Sequence, residues 1–392
     1  MNEVYIIAAK RTPIGGFLGN LAEFSATQLG AIAIKEAYQS VGIDPNTICS
    51  VYMGNVLSAN LGQSPARQVS IFAGISENTD CTTVNKVCAA GMKATIIGAQ
   101  QIQLGLEDLV ITGGMESMSN VPHYNVLRKP VKFGDANCID GLLKDGLTDV
   151  YHNFHMGNAA EMCVEKYELT REQQDEYALS SYAKAAKATN EGKFRNEIIP
   201  IKINHKTGET IIDYDEDIFK VTPEKVSKLN PVFVKNGTIT AANASNLNDS
   251  AAALLLASKE AVEKYNLKPL AKIISYADAA QAPEWFTTAP SIAITKALKQ
   301  ANLSINDIDF FEINEAYAAV VLANQKILDL DSNKINIYGG AVAMGHPLGA
   351  SGARIICTLI SVLKQEGGKY GVASICNGGG GASAIVIENI NL

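Results

Sequence analysis

Cysteines, a histidine, an asparagine and a run of glycines stand in this sequence where they can do thiol chemistry. Cys88 lies in Asn85-Lys86-Val87-Cys88-Ala89-Ala90-Gly91-Met92-Lys93, between a β-branched stretch, Cys81–Val84, and an Ala/Ile/Gln-rich one, Ala89–Leu104. That pattern predicts a strand-to-helix turn. The unpaired N–H groups and positive dipole end of a helix favour a thiolate, so the expected thiol pKa is well below its free value of about 8.5. Small neighbours, Ala89, Ala90 and Gly91, let a substrate approach the sulfur. A structural cysteine packed as a small hydrophobe is the competing reading, and only distant partners decide between the two.

Such partners occur. His346, one of five histidines, is followed by Pro347 inside the glycine-dense stretch Tyr338–Gly352. Imidazole is the side chain suited to taking a proton from a thiol near neutral pH. Cys376 ends a strand-like run and leads into Asn377 and four glycines, Gly378–Gly381. Glycines there allow N–H groups to point into a cavity and stabilise an oxyanion. Asn314, in Glu312-Ile313-Asn314-Glu315-Ala316-Tyr317, ends the strand-like Asp309–Ile313, a place from which an amide can hold a water or a substrate oxygen. His155-Met156-Gly157 is a further candidate. Each has a structural reading alone, such as a satisfied histidine, a turn or a nucleotide phosphate cradle; their joint occurrence is what has to be explained.

The composition narrows the partners. A chain of 392 residues, 47% hydrophobic and 19% charged, is long enough for two or three domains with large cores. The net charge of −7 comes without a long basic block, which excludes nucleic acid and a membrane surface as expected partners. Seven cysteines at irregular spacing form no disulfide framework and suit a reducing compartment. The N-terminus, Met1–Ala9 followed by Lys10, lacks a signal-peptide pattern, and Ile390-Asn391-Leu392 is not a peroxisomal tripeptide. No apolar run reaches about 18 residues, so the expectation is a cytoplasmic protein with no membrane span. His152 and His155 lack a third ligand, and no metal is expected.

Positioning these residues calls for alternating elements. Strand-like Val4–Ala8, helical Ala26–Val41, strand-like Ser50–Leu57, the helix after Cys88 and strand-like Asp108–Gly113 argue for an α/β fold with a mostly parallel sheet. The pattern returns: Leu29–Ile48 overlies Ala289–Ile308 at an offset of 260 (Ile32 against Ile292), keeping Ala33, Ile34, Ala37, Asn46 and Ile48. Ala90-Gly91-Met92-Lys93 overlies Ser351-Gly352-Ala353-Arg354 at an offset of 261, which predicts a second helix beginning near Gly349. The reading is a duplicated α/β domain. Between the copies, Ser119 to Ala244 is more polar and carries one strong helix, Thr170–Glu191, opened by a capping box, Thr170-Arg171-Glu172-Gln173. Lys220, Lys225 and Lys228 in it either meet phosphates or form a solvated face. Asn248–Lys264 reads as an Ala/Leu-rich helix completing the first unit.

Along its full length the chain resembles the thiolase family, and within it the biosynthetic acetyl-CoA acetyltransferases. The motifs are Ala9-Lys10-Arg11-Thr12-Pro13-Ile14-Gly15, Asn85–Lys93, Gly113-Gly114-Met115-Glu116-Ser117-Met118, Asn243-Ala244-Ser245, Asn314-Glu315-Ala316, Gly345-His346-Pro347 and Cys376-Asn377-Gly378-Gly379-Gly380. The resemblance implies two duplicated α/β halves with mixed five-stranded sheets and an inserted loop domain. The expected ranges are 1–118 plus 245–268 for the N-terminal half, 119–244 for the insertion and 269–392 for the C-terminal half.

It further implies a reversible Claisen condensation of two acetyl-CoA to acetoacetyl-CoA plus CoA. Cys88 would become acetylated, His346 would take its proton, and Cys376 would remove the Cα proton of the second acetyl-CoA. One oxyanion hole would comprise His346 and a water on Asn314, the other the N–H groups of Cys88 and Gly378. Ser245 would meet the pantetheine arm, while Leu147, His155, Met156, Ala316 and Tyr317 would wall the acyl pocket. Tyr317 departs from the family, which commonly has Phe there, and adds a hydroxyl beside the acyl site. CoA thioesters are substrate and product, no cofactor is implied, and a homotetramer is. The alternatives are a degradative 3-ketoacyl-CoA thiolase with a wider pocket and a non-catalytic acyl-CoA carrier on the same fold. A nucleotide-binding oxidoreductase fails for want of G-x-G-x-x-G after the first strand.

Overall fold

The computed structural model describes residues 1–205 and 208–390. Asn391 and Leu392, the end of the tripeptide read above, lie outside the described residues. Nine strands form the path of one mixed sheet: β1 (Val4–Arg11), β2 (Ser50–Gly54), β3 (Asp80–Val84), β4 (Leu109–Ser117), β5 (Asn248–Ser258), β6 (Ala271–Ala280), β7 (Phe310–Ile313), β8 (Tyr370–Asn377) and β9 (Gly381–Asn389). Their order is β7-β8-β9-β6-β1-β5-β4-β2-β3, and the two-residue strand Gly15–Gly16 also pairs with β5. The duplication appears as two strand sets that meet where Val4–Ile6 pairs with Ala271–Ile273. The first set, β3-β2-β4-β5-β1, lies within 1–118 plus 245–268, and the second, β6-β9-β8-β7, within 269–392. Among the described residues the second set has four strands, and beyond β7 only a single bridge joins Phe311 to Ile335. Asn336 breaks that edge by turning to a φ of 44°.

Strand directions correct the mostly parallel sheet. β2 runs parallel to β3 and β4, and β7 to β8, but the pairs along β4-β5-β1-β6-β9-β8 are antiparallel. β9 returns from β8 through the short glycine turn after Asn377, which leaves no chain for a crossover helix. A second correction concerns Asn248–Lys264: Asn248–Ser258 is the central strand β5, and only Lys259–Lys264 is helical. All eleven residues of β5 are buried. Ala252, Leu254 and Leu256 join Met92, Ile96 and Ile356 on one face, while Ala251, Ala253, Leu255 and Ala257 join Leu29, Ile34 and Ala37 on the other. Buried on both faces, the strand has no polar alternation, and the helix propensity of Ala and Leu yields to its tertiary setting.

The helices that matter here are α1 (Ala26–Gln39), α2 (Ala90–Gln103), α3 (Met156–Tyr167), α4 (Arg171–Asn190), α5 (Ala289–Ala301), α6 (Ala318–Leu328) and α7 (Leu348–Glu366). The sequence-matched α1 and α5 each cover one half of the sheet. The other matched pair, α2 and α7, cross in the middle of the molecule, with Gly91 and Gly352 at the crossing. A Cβ on Gly91 would lie 2.8 Å from the Gly349 carbonyl, and one on Gly352 2.5 Å from the Met92 nitrogen. The crossing therefore brings the turn before α2, with Cys88, beside the turn before α7, with His346.

The insertion carries α3, α4 and small hairpins, among them Thr148–Asp149 with Phe154–His155. α4 begins at the capping box of Thr170 and Gln173 that its spacing predicted. Buried Arg11 of β1 ties the segment down, with Nε 2.7 Å from Glu197 and Nη1 2.6 Å from Asp215. Glu315, just after β7, accepts from Tyr177 Oη and Ser181 Oγ of α4, both at 2.7 Å. Among the described residues no helix is long and apolar enough to cross a membrane.

Candidate active site

β3 ends at Val84 and α2 begins at Ala90, so Cys88 sits in the turn between them. Asn85 shapes that turn: its Oδ1 accepts from Val87 N–H at 2.9 Å and its Nδ2 donates to the Val56 carbonyl at 3.3 Å. Val87 adopts a φ of +47°, a conformation that costs a β-branched residue about 1–3 kcal/mol. Lys86 anchors the turn to the other half through Asp278 Oδ1 at 2.5 Å and Ser383 Oγ at 2.8 Å. The result presents Cys88 to a cavity of about 440 Å³.

The thiol does not behave as the helix argument predicted. Burial pushes its pKa up to about 12, against the pull of the N–H groups of Gly378 and Cys88, which point at the sulfur. The helix starts two residues too late, and lost hydration outweighs the available donors. At neutral pH the sulfur is a thiol and needs a base.

His346 meets that need. Burial, and then the charge of Arg354, push its pKa down to about 3, so the ring is neutral. Nδ1 lies 2.6 Å from Ser351 Oγ, and that hydroxyl donates to the Pro347 carbonyl at 2.9 Å. A hydroxyl has one proton, so Nδ1 carries the other and Nε2 is left as an acceptor. The 2.6 Å contact outweighs a 3.5 Å approach of Asn314 Nδ2 to Nδ1, which would ask for the opposite tautomer. Nε2 is buried with no hydrogen-bond partner among the described residues. The backbone is fixed as well: His346 N–H donates to Asn248 Oδ1 at 2.9 Å. Gly345 has a φ of 112°, and a Cβ there would lie 2.2 Å from the Asn248 side chain.

Cys88 and His346 line the cavity together with Leu147, His155, Met156, Ser245, Ala316, Tyr317 and Gly378. Asn314 and Cys376, both buried, are not among the residues that line it. Cys376, fully buried at the end of β8, has its thiol pKa raised by burial and then by its neighbour Cys88. Asn314 offers Oδ1 to Arg354 Nη2 at 3.5 Å. His155 caps α3 by accepting from Gly157 N–H at 3.0 Å, and its ring stacks on Phe233 with centroids 4.7 Å apart. A Cβ on Gly157 would lie 2.3 Å from that Phe233 ring, so each residue of His155-Met156-Gly157 has a physical reason. A second, more polar cavity of about 550 Å³ continues outward past Ala241, Asn246 and Leu247. Lys220 and Lys225 line it, with Lys220 also paired to Glu216 and Asp217; Lys228 is not part of its lining.

The chain matches the thiolase N-terminal domain over residues 4–260 and the thiolase C-terminal domain over 267–389. It is 53% identical over 390 residues to acetyl-CoA acetyltransferase 2 of Arabidopsis thaliana, covering 98% of this chain and 97% of that one. It is 52% identical over 391 residues to acetyl-CoA acetyltransferase of Schizosaccharomyces pombe, covering 99% of each. Among solved structures, the Acat5 thiolase from Ascaris suum in complex with coenzyme A superposes with a TM-score of 0.95 at 47% identity, covering 99% of this chain and all of that one. Human mitochondrial 3-ketoacyl-CoA thiolase gives 0.96 at 40%, covering 99% of each. The chain belongs to the thiolase family.

The boundary between the two matches falls between β5 and β6 of this thiolase. Several residues around its cavity escaped the sequence reading. Ser351 stands one helical turn after Pro347, a spacing that alone says nothing of an imidazole. Glu116, buried, accepts from Gly349 N–H at 2.9 Å, Asn55 Nδ2 at 2.8 Å, Val56 N–H at 3.1 Å and Leu57 N–H at 3.2 Å. It thereby clamps the loop after β2 onto α7. Burial raises its pKa to about 7, with those N–H groups pulling back. Arg354 is buried with Nε and Nη1 making no hydrogen bond among the described residues, and Nη1 forms a 3.8 Å ion pair with Glu312. The sequence showed these as polar letters within apolar motifs; their partners come from the turn before α7, the loop after β2 and the end of β7.

Proposed function

We propose that this thiolase is an acetyl-CoA acetyltransferase, which condenses two acetyl-CoA to acetoacetyl-CoA and CoA by a reversible ping-pong route through acetyl-Cys88. Full-length relatives at 53% and 52% identity carry that name. One observation in the site carries the reading: the Cys88 thiol, the unpartnered Nε2 of a neutral His346 and the Gly378 backbone share one cavity.

The chemistry follows from the groups present. Nε2 of His346 takes the Cys88 proton, the sulfur attacks the thioester carbonyl, and the proton passes to the departing CoA sulfur. The N–H groups of Cys88 and Gly378 stabilise the oxyanion of that step. In the second half-reaction Cys376 takes the Cα proton of the incoming acetyl-CoA while its own proton goes to the departing Cys88 sulfur. The new carbon–carbon bond replaces the carbon–sulfur bond, and both thiols are restored. Asn314 with a water and His346 would stabilise the enolate oxygen. Ser245 lines the inner cavity, where it would meet the pantetheine arm, and Lys220 and Lys225 border the outer one, where a CoA phosphate would lie.

The degradative alternative draws on the human mitochondrial 3-ketoacyl-CoA thiolase at 40% identity. The 53% and 52% identity to the Arabidopsis thaliana and Schizosaccharomyces pombe acetyltransferases and the aromatic wall of His155, Phe233 and Tyr317 favour two- and four-carbon acyl groups. For assembly we favour a homotetramer, supported by exposed Val126, Leu127, Val131 and Phe133 in the insertion, apolar side chains that another subunit would cover. For location we favour the cytoplasm, since the Gibberella zeae relative is named cytosolic and all seven cysteines are free thiols. The reading is tested by initial rates of acetoacetyl-CoA thiolysis at varied CoA. Parallel double-reciprocal lines are expected, and intersecting lines would overturn the ping-pong order.

A further inference from the structure

The wall of the acyl cavity is largely apolar, and beside Cys88 it carries the phenol of Tyr317. Tyr317 precedes α6, and its backbone is pinned by a bridge to Ala244 and by Ala318 N–H donating to the Asn243 carbonyl at 2.8 Å. The side chain has little freedom. Its ring stands edge-on to Phe233, with centroids 6.0 Å apart and planes at 85°, and Phe233 is in turn stacked on His155. The residue is 7% exposed and lines the cavity beside Cys88, Met156 and Gly378. Among the described residues its hydroxyl makes no hydrogen bond. Burial raises the phenol pKa far above its usual value, and the Cys88 and Cys376 sulfurs both add to the shift, so the phenol, in the same cavity wall as Cys88, is a neutral donor.

We propose that the Tyr317 hydroxyl sets the acyl chain length of this site, accepting a two-carbon acyl group on Cys88 and penalising longer ones. The inference rests on the acetyltransferase reading above and names its specificity determinant. An acetyl group is short enough to leave the hydroxyl a water. A butyryl chain covers it with methylene groups that offer no partner, and a buried donor left unpaired is costly. With an apolar residue in that place each buried methylene would instead favour binding about fourfold. Discrimination by a polar group left unpaired is stronger than discrimination by shape alone.

Thiolysis of a 3-ketoacyl-CoA tests this, because the bond between C2 and C3 breaks and the acyl group from C3 onward is the one transferred to Cys88. The measurement is kcat/KM for acetoacetyl-CoA and for 3-ketohexanoyl-CoA, in the wild type and in Tyr317→Phe, which keeps the ring contact with Phe233. The ratio of six-carbon to four-carbon activity is expected to rise about tenfold in the variant. An unchanged ratio overturns the proposal, whatever happens to the two rates separately. Should Tyr317→Phe fail to fold, the wild type decides. Cys88 acylation by butyryl-CoA at least about tenfold slower than by acetyl-CoA upholds the proposal, and equal rates overturn it. Wild-type protein that cleaves 3-ketohexanoyl-CoA but not acetoacetyl-CoA would instead overturn the underlying acetyltransferase reading.

Discussion

Replacing Ser351 by alanine removes the group that fixes the tautomer of His346. In the wild type Oγ stands 2.6 Å from Nδ1 and spends its own proton on the Pro347 carbonyl at 2.9 Å. Without it the ring is free to carry its proton on Nε2, the nitrogen that must accept from Cys88. A buried hydrogen bond of about 1–2 kcal/mol is at stake, which corresponds to a 5- to 30-fold loss in kcat/KM. The fold should barely notice. The Pro347 carbonyl keeps the Ser351 N–H at 2.9 Å and the Ala350 N–H at 3.0 Å, so Tm is expected to move by no more than about 2 °C. The assay pairs steady-state thiolysis with the rate of Cys88 alkylation by iodoacetamide, since alkylation also waits on removal of the thiol proton. Both should fall together while Tm holds. Alkylation and kcat/KM both within twofold of the wild type would refute the assignment of the tautomer.

Other consequences are open to measurement. The Glu312 carboxyl, buried beside Arg354, has its pKa raised to about 8 from 4.5, so the stability it contributes is full below pH 4.5 and is lost as pH rises through 8. Wild-type Tm should fall between pH 6 and pH 8, at about 1.4 kcal/mol per pH unit from this group, and Glu312→Gln should flatten that slope; equal slopes would contradict it. Gly352→Ala places a Cβ 2.5 Å from the Met92 nitrogen, and a loss of about 3 kcal/mol or insoluble protein is expected, read by urea denaturation. Phe133, fully exposed in the insertion, should lower the solution mass by light scattering when changed to glutamate, and an unchanged mass would remove this patch from the subunit contacts.

The sequence made visible what repeats or what is short and chemically odd. The offsets of 260 and 261 anticipated both matched helix pairs, and Gly91 with Gly352 shows why the second match was kept: nothing larger fits where α2 and α7 cross. Thr170 and Gln173 announced α4 because a capping box is a local device. β5 was misread because Asn248–Ser258 is buried on both faces, which removes the alternation that marks a strand. Sheet direction was misread because β8 and β9 are joined by a turn of glycines that had been valued only for its N–H groups. In the site, Cys88, His346 and Gly378 stood out by their neighbours in the chain, and they line one cavity. The raised pKa of Cys88 was not, because desolvation depends on everything packed around the sulfur. Glu116 and Arg354 find their partners on segments distant in the chain, the loop after β2 and the end of β7, and Ser351 reaches His346 only through the turn before α7, which no residue pattern reveals.

The central claim is that Cys88 carries the acyl group between two molecules of CoA. Mass spectrometry of protein mixed with acetyl-CoA in a single turnover, followed by peptide mapping, tests it in the wild type and in Cys88→Ala. The account predicts one acetyl group on the peptide containing Cys88, its discharge by added CoA, and no adduct in the folded variant. Folded wild-type protein that turns over acetyl-CoA while the acetyl group appears on another residue, or on none, would contradict it.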